Sequence, residues 1–141
     1  VHNRHIIEVC CSPNSAIGQY APRSCILTRI AKAHDLLTRA GIRFARGAVR
    51  MARMSLLWVS LPFTGGSAWS RVNLTRGPET AEKVMQHRSQ YQARWTRTEK
   101  LARDTHAAGG RVAIEWPKAC VYWHDKAVER LISDLGLIKV E

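Results

Sequence analysis

LLWVSLPFTGGSAWSRVN, residues 56–73, joins an apolar run to a glycine loop. A short apolar run bounded by Pro and Gly is typical of a strand buried on both faces. Residues 55–61 are therefore predicted to form such a strand. Pro62 restricts the backbone where the strand ends, and the two glycines that follow permit a tight exit.

Further segments share this apolar character and are also predicted to be strands: residues 5–11 (HIIEVCC), 25–30 (CILTRI) and 111–116 (RVAIEW). Helical patterns lie at about 36–54, from Pro78 to the Gly109-Gly110 pair, and over 125–135. Residues 137–140 are compatible with a short final strand. Strands that alternate with helices and are apolar on both faces predict an α/β domain with a mostly parallel sheet.

The length of 141 residues predicts a single domain, residues 1–141. Residue 1 is Val, and no basic-then-apolar signal pattern opens the sequence, so the chain is interpreted as intracellular and as a possible fragment or processed product. No apolar run approaches the roughly 20 residues of a membrane span. The four cysteines form no CxxC pair, which favours reduced thiols and no metal site.

The composition is strongly basic, with 22 Lys and Arg against 11 Asp and Glu and a formal net charge of +11. Such a charge favours a polyanionic partner, nucleic acid first. A row of arginines follows spacings of 4, 3, 4 and 3, which places them on one helical stripe. Its members are Arg39, Arg43, Arg46, Arg50 and Arg53. The stripe is predicted to contact phosphates, the alternative being an ordinary solvated face.

Loops that follow parallel strands share one rim of the sheet, where ligands bind. Glu115 ends the RVAIEW strand, and a carboxylate there is costly unless it is paired. It is predicted to hold a substrate amine or a backbone N–H at the rim, or else to serve the structure alone. In the neighbouring loops, Thr64 and Ser67 offer hydroxyls, and Trp69 and Trp116 offer faces for base stacking.

Together these elements resemble the Rossmann-like S-adenosylmethionine-dependent methyltransferases, and among them the DNA cytosine-C5 methyltransferases. Leu61-Pro62-Phe63 stands where that family has Pro-Cys, and Glu115-Trp116-Pro117 stands where it has Glu-Asn-Val. Residues 7–12 (IEVCCS) resemble the first strand and cofactor loop, and Asp35-Leu36 is similar to the acidic element near the adenine. The resemblance covers about residues 5–135 and implies a three-layer Rossmann-like fold.

The resemblance also implies roles for individual residues. Glu115, Pro62, Thr64 and Ser67 would form the catalytic rim, with the glycine loop folded back over the pocket and Trp69 covering its opening. S-adenosylmethionine would meet Glu8, Ser12, Asn14, Gly18 and Asp35.

Two departures leave other readings open. Phe63 occupies the position of the family's nucleophilic Cys and cannot form a covalent adduct. The Ser12–Ser15 loop also lacks a Gly-x-Gly. The leading expectation is a methyltransferase-like domain that acts on or binds nucleic acid. The alternatives are a non-catalytic nucleic-acid or RNP binding module and, less favoured, a nuclease in which Glu8, Asp35 and Glu115 converge on a metal.

Overall fold

The computed structural model describes residues 4–141 and contains four β-strands that form one sheet. They are β1 (Arg4–Cys11), β2 (Cys25–Ala31), β3 (Leu56–Val59) and β4 (Arg111–Ile114). Every adjacent pair is parallel, in the order β2-β1-β3-β4. The predicted parallel α/β sheet is therefore confirmed. Strands β3 and β4 are shorter than predicted, so that Glu115 follows β4 instead of ending it.

Five α-helices connect and follow the strands: α1 (Ala16–Tyr20), α2 (Arg39–Met51), α3 (Ala68–Thr75), α4 (Pro78–Ala107) and α5 (Lys126–Leu135). Proline opens α4 and Gly109, with φ of 81°, follows it, as predicted. The predicted α2 was too long at both ends. It begins after Thr38, whose side chain accepts a hydrogen bond from the Gly41 N–H.

The final segment, residues 137–140, is not a strand, which corrects that prediction. Gly136 adopts a left-handed conformation with φ of 64° and ends α5. The Leu137 N–H then donates back to the Ile132 carbonyl at 2.9 Å. This is the usual way of satisfying the last carbonyls of a helix.

The main core lies on one face of the sheet. Strand alternation places Ile7, Val9, Leu57 and Val59 on that face, all fully buried. They form one cluster with apolar residues of α2, α4 and α5, including Ala45, Val49, Leu101 and Leu131.

The opposite face carries α1, which packs on β2. A Cβ atom at Gly18 would lie 2.7 Å from the Leu27 side chain and 1.7 Å from the Arg29 guanidinium. Helices therefore cover both faces of the sheet, as a Rossmann-like three-layer fold requires. Among residues 4–141, no helix has the length and apolar character that a bilayer span needs.

The strand order defines where a ligand site is expected. From β1 the chain moves to β2 on one side, and then crosses back past β1 to β3 on the other. The connections diverge between β1 and β3. In open parallel sheets the crevice at the carboxyl ends of two such strands is the usual ligand site.

Candidate functional site

A cavity of about 470 Å³ opens at the carboxyl ends of β1, β3 and β4. Its walls come from the strand ends and the loops that follow them: Cys10, Ser60, Leu61, Pro62, Phe63, Glu115, Trp116 and Pro117. We call it the rim cavity. Phe63 and Glu115 lie on the same rim, as the sequence pattern predicts, because β3 and β4 are adjacent and parallel.

The Glu115 carboxylate is held in place by two side chains of the β3 segment. Its Oε2 atom accepts hydrogen bonds from Trp58 Nε1 at 3.0 Å and from Ser60 Oγ at 3.1 Å. Within residues 4–141 no hydrogen bond reaches Oε1. The hydrogen bonds to Oε2 thus orient the carboxylate, and Oε1 can accept a hydrogen bond from a ligand. Sequence reasoning did not find Trp58 or Ser60, because only the strand register shows that they adjoin Glu115.

The glycine loop does not fold back over the rim cavity, which corrects that prediction. Gly65 and Gly66 are buried in a short 3₁₀ turn against Tyr122 and Arg88. Arg88 Nε donates to the Gly65 carbonyl at 2.9 Å. Thr64 begins this turn and Ser67 follows it, both outside the cavity lining, and Ser67 Oγ donates to the Thr64 carbonyl at 3.3 Å. Of the predicted catalytic set, Pro62 and Glu115 line the cavity.

Trp116 does not offer a stacking face for bases, which corrects the prediction for that residue. It is buried, with 7% of its surface exposed, and its Nε1 donates to the Leu61 carbonyl at 2.9 Å. Tyr91 and Tyr122 meet its ring edge-on. Trp69, in contrast, is 69% exposed on α3, but it does not line the cavity or cover its opening as predicted.

The residues predicted to meet S-adenosylmethionine have protein partners instead. Glu8 is buried, and its Oε2 accepts a hydrogen bond from Ser15 Oγ at 2.6 Å. Ser12 Oγ accepts from the Asn14 N–H at 3.2 Å, which closes an exposed turn. Gly18 is needed where α1 approaches β2.

Asp35 also has partners within the protein. Its carboxylate forms an ion pair with Arg94 of α4 at 3.3 Å and accepts a hydrogen bond from the Leu37 N–H at 2.9 Å. Burial raises the pKa of this carboxyl, but the Leu37 and Arg94 contacts outweigh it, and the pKa lies below its ordinary value.

None of the five predicted cofactor residues lines the rim cavity. Glu8, Asp35 and Gly18 make contacts within the protein at positions where the resemblance implies contacts with the cofactor. The carboxylates of the nuclease alternative do not converge either. Glu8, Asp35 and Glu115 each have separate partners, and residues 4–141 contain no group of side chains that could hold a metal ion.

Cys10 is a cavity residue that sequence reasoning missed. It has φ of 59° where the pairing of β1 with β2 shifts between Val9 and Cys11. A positive φ is uncommon for a residue with a side chain, and such positions cluster at functional sites. Burial raises the pKa of the Cys10 thiol to about 11, so the wall carries a neutral thiol at physiological pH.

The second candidate surface is the outer side of α2. Four arginines are exposed along it and line one groove of about 370 Å³ together with Ile42 and Gly47. We call Arg39, Arg43, Arg46 and Arg50 the arginine face. Arg53 lies in the turn beyond Met51, so it is not on the helical stripe as predicted.

Within residues 4–141, most Lys and Arg side chains of α4, unlike those of the arginine face, have protein partners, Lys83 being an exception. Arg94 and Arg97 bind Asp35 and the Leu36 carbonyl, and Arg103 pairs with Glu99 and Asp134. Among the described residues, the arginine face has no ion pair. The guanidinium groups of α2 therefore remain open to an external anion.

Two surfaces, the rim cavity and the arginine face, are thus the candidate sites. Comparisons of the chain with models of protein families, with curated proteins and with solved structures found no match.

Proposed function

We propose that this domain binds nucleic acid through the arginine face of α2. The observation that carries the proposal is that four exposed guanidinium groups share one groove and no carboxylate of residues 4–141 pairs with them. Like charges three and four residues apart on a helix repel one another. A polyanion would relieve that repulsion at all four positions together.

The dimensions of the arginine face suit a phosphodiester chain. From Arg39 to Arg50 the helix rises by roughly 16 Å, and each strand of a duplex rises by about 3.4 Å per phosphate along the duplex axis. The face therefore spans about four to five phosphates. The guanidinium group can donate two parallel hydrogen bonds to one phosphate, which lysine cannot do. The net charge of +11 would also steer a polyanion toward the domain.

The test is fluorescence anisotropy with a labelled oligonucleotide over a range of salt concentrations. Replacing Arg43, Arg46 and Arg50 together by Ala should weaken binding and reduce the salt slope by up to about 3 units. The matched control replaces three other exposed cations, Arg71, Arg76 and Lys83, and so removes the same charge from α3, the residue that follows it, and α4. Equal affinity and slope in the two triple variants would overturn the proposal.

A methyltransferase-like activity on nucleic acid is the second candidate function. It is favoured by the rim cavity, which lies where the strand connections diverge and holds the oriented Glu115 carboxylate. The protein contacts of Glu8, Asp35 and Gly18 speak against a retained cofactor site. Calorimetry with S-adenosylmethionine tests this candidate. Saturable binding that Glu115→Gln leaves intact would support it, and no binding would leave a non-catalytic module.

A further inference from the structure

A second stripe runs beside the arginine face on α2. Its members each follow one of the four arginines: Ala40, Phe44, Gly47 and Met51. Successive residues of a helix are about 100° apart, so the two stripes lie side by side along the axis. The second stripe is apolar, yet Phe44 is 39% and Met51 87% exposed. The core-facing side of α2 is a different one, formed by Gly41, Ala45 and Val49.

The Phe44 ring is held in a fixed orientation although it lies at the surface. It stacks on His34, with ring centroids 3.8 Å apart and planes 14° from parallel. Phe44 is the single aromatic residue of α2 and is placed among the arginines. An ordered, partly exposed ring next to unpaired cations is the combination that binds unpaired bases.

Packing does not require a glycine at residue 47. A Cβ atom built on it would meet nothing within 4 Å, whereas one on Gly41 of the same helix would lie 1.9 Å from the Asp35 carbonyl oxygen. Glycine in a helix interior lowers stability relative to alanine. Gly47 lines the same groove as the arginines. Its missing side chain lets a ligand approach the helix backbone between Arg43 and Arg50.

We propose that the α2 surface takes a single-stranded polynucleotide, with phosphates on the arginine face, a base on Phe44 and the strand passing over Gly47. This inference rests on the proposed nucleic-acid binding. A duplex keeps its bases stacked inside and would use the arginines alone. A single strand can use both stripes, because its bases are free to stack on a side chain.

An anionic membrane is the competing polyanion, and the geometry of α2 disfavours it. A helix that lies in a membrane interface buries a broad apolar face in the lipid. The broad apolar face of α2 is already buried against the sheet and α4. The exposed stripe is narrow, and two of its members, Ala40 and Gly47, offer almost no apolar surface.

The experiment measures binding by anisotropy to four probes: a labelled DNA single strand, an RNA single strand, a DNA duplex containing the same sequence, and vesicles of phosphatidylcholine and phosphatidylglycerol. One or both single strands should bind more tightly than the duplex and the vesicles. Phe44→Leu should weaken single-strand binding about fivefold or more and leave the salt slope unchanged, since stacking releases no counterions. Tyr20→Leu is the matched control, because Tyr20 is an exposed aromatic residue on α1 and lies outside both the arginine face and the rim cavity.

Gly47→Leu separates a binding role from a structural one. Leucine is a much better helix former than glycine, so the melting temperature should rise while single-strand affinity falls. This variant also keeps the inference testable if Phe44→Leu proves unstable.

The outcomes distinguish this inference from the proposed function. Equal affinity for single strand and duplex, with Phe44→Leu and Gly47→Leu both binding normally, would overturn the inference alone. Tighter binding to the vesicles than to either single strand would also overturn it. If replacing Arg43, Arg46 and Arg50 by Ala changed neither the affinity nor the salt slope, the proposed function itself would be overturned.

Discussion

The Tyr122 side chain packs so closely on Gly65 that a Cβ atom at residue 65 would lie 2.6 Å from the Tyr122 hydroxyl oxygen. At Gly66 a Cβ atom would lie 3.0 Å from carbons of the same ring. The Gly-Gly pair that follows β3 is therefore a packing requirement. It lets the chain leave the sheet directly beneath Tyr122 and α4.

Substituting either glycine is expected to destabilise the protein. Gly65→Ala and Gly66→Ala should each lower the free energy of unfolding by about 1–3 kcal/mol, the range for overpacking a filled site. Urea denaturation measures the change. Gly47→Ala is the control and should raise the free energy of unfolding by up to about 1 kcal/mol, because it has open space and helical geometry. Full stability of Gly65→Ala would mean that the loop can move away from Tyr122.

Removing the Tyr122 hydroxyl should distinguish the effect of alanine at residue 65 from its effect at residue 66. It is buried and has no hydrogen-bond partner among residues 4–141, and burial raises its pKa to about 12. Tyr122→Phe should therefore be close to neutral or slightly stabilising, since it removes an unpaired polar atom. In the Tyr122→Phe variant, Gly65→Ala should lower the free energy of unfolding by less, because the hydroxyl is the nearest contact of a Cβ atom at residue 65. Gly66→Ala should cost the same, because it meets the ring carbons. A double-mutant cycle from denaturation curves measures both couplings, and equal couplings would contradict this geometry.

The Asp35–Arg94 ion pair predicts a pH dependence of stability. The folded-state pKa of Asp35 lies below its ordinary value of 3.8. The stabilisation is thus fully present above the unfolded pKa, about 3.9, and is lost as pH falls through the folded pKa. Asp35→Asn should cost at most about 1 kcal/mol near neutral pH, because the Asp35 side chain is 35% exposed and solvent screens the ion pair, and the difference from the unmodified protein should shrink below about pH 4. Thermal unfolding across this range checks it.

Asp104→Asn is the control for the Asp35 prediction. It removes an ion pair with Lys100 whose side chains are 41% and 59% exposed, so it should change stability little at any pH. A pH-independent effect of Asp35→Asn would instead assign Asp35 to backbone capping alone.

Phe63 predicts that the rim cavity forms no covalent adduct with a mechanism-based cytosine trap. The ring has no nucleophile, and the Cys10 thiol in the same wall stays neutral because its pKa is raised to about 11. Phe63→Cys should restore a thiol to the rim but give at most weak trapping, because catalytic groups that act as a unit do not recover singly. Intact-protein mass spectrometry measures the adduct. Trapping by the unmodified protein would reveal a different nucleophile.

Local sequence signals determined the elements of the fold. Apolar segments too short for helices, separated by helical patterns, predicted the parallel strands. Pro78 and Gly136 correctly marked where α4 begins and α5 ends. These signals act over a few residues, because capping and backbone restriction are local effects. The arginine spacing also placed four side chains on one face of α2, since helical periodicity alone fixes that.

Tertiary structure decided which of the polar and aromatic residues remain available to a ligand. Trp116 is buried because its indole N–H reaches the Leu61 carbonyl, 55 residues earlier in the chain. Asp35 meets Arg94 across a separation of 59 residues, and Glu115 meets Trp58 across 57. A single sequence shows residue types but not these distant pairings. For the same reason, only the fold shows that most cations of α4 have protein partners, while within residues 4–141 the arginine face has no ion pair.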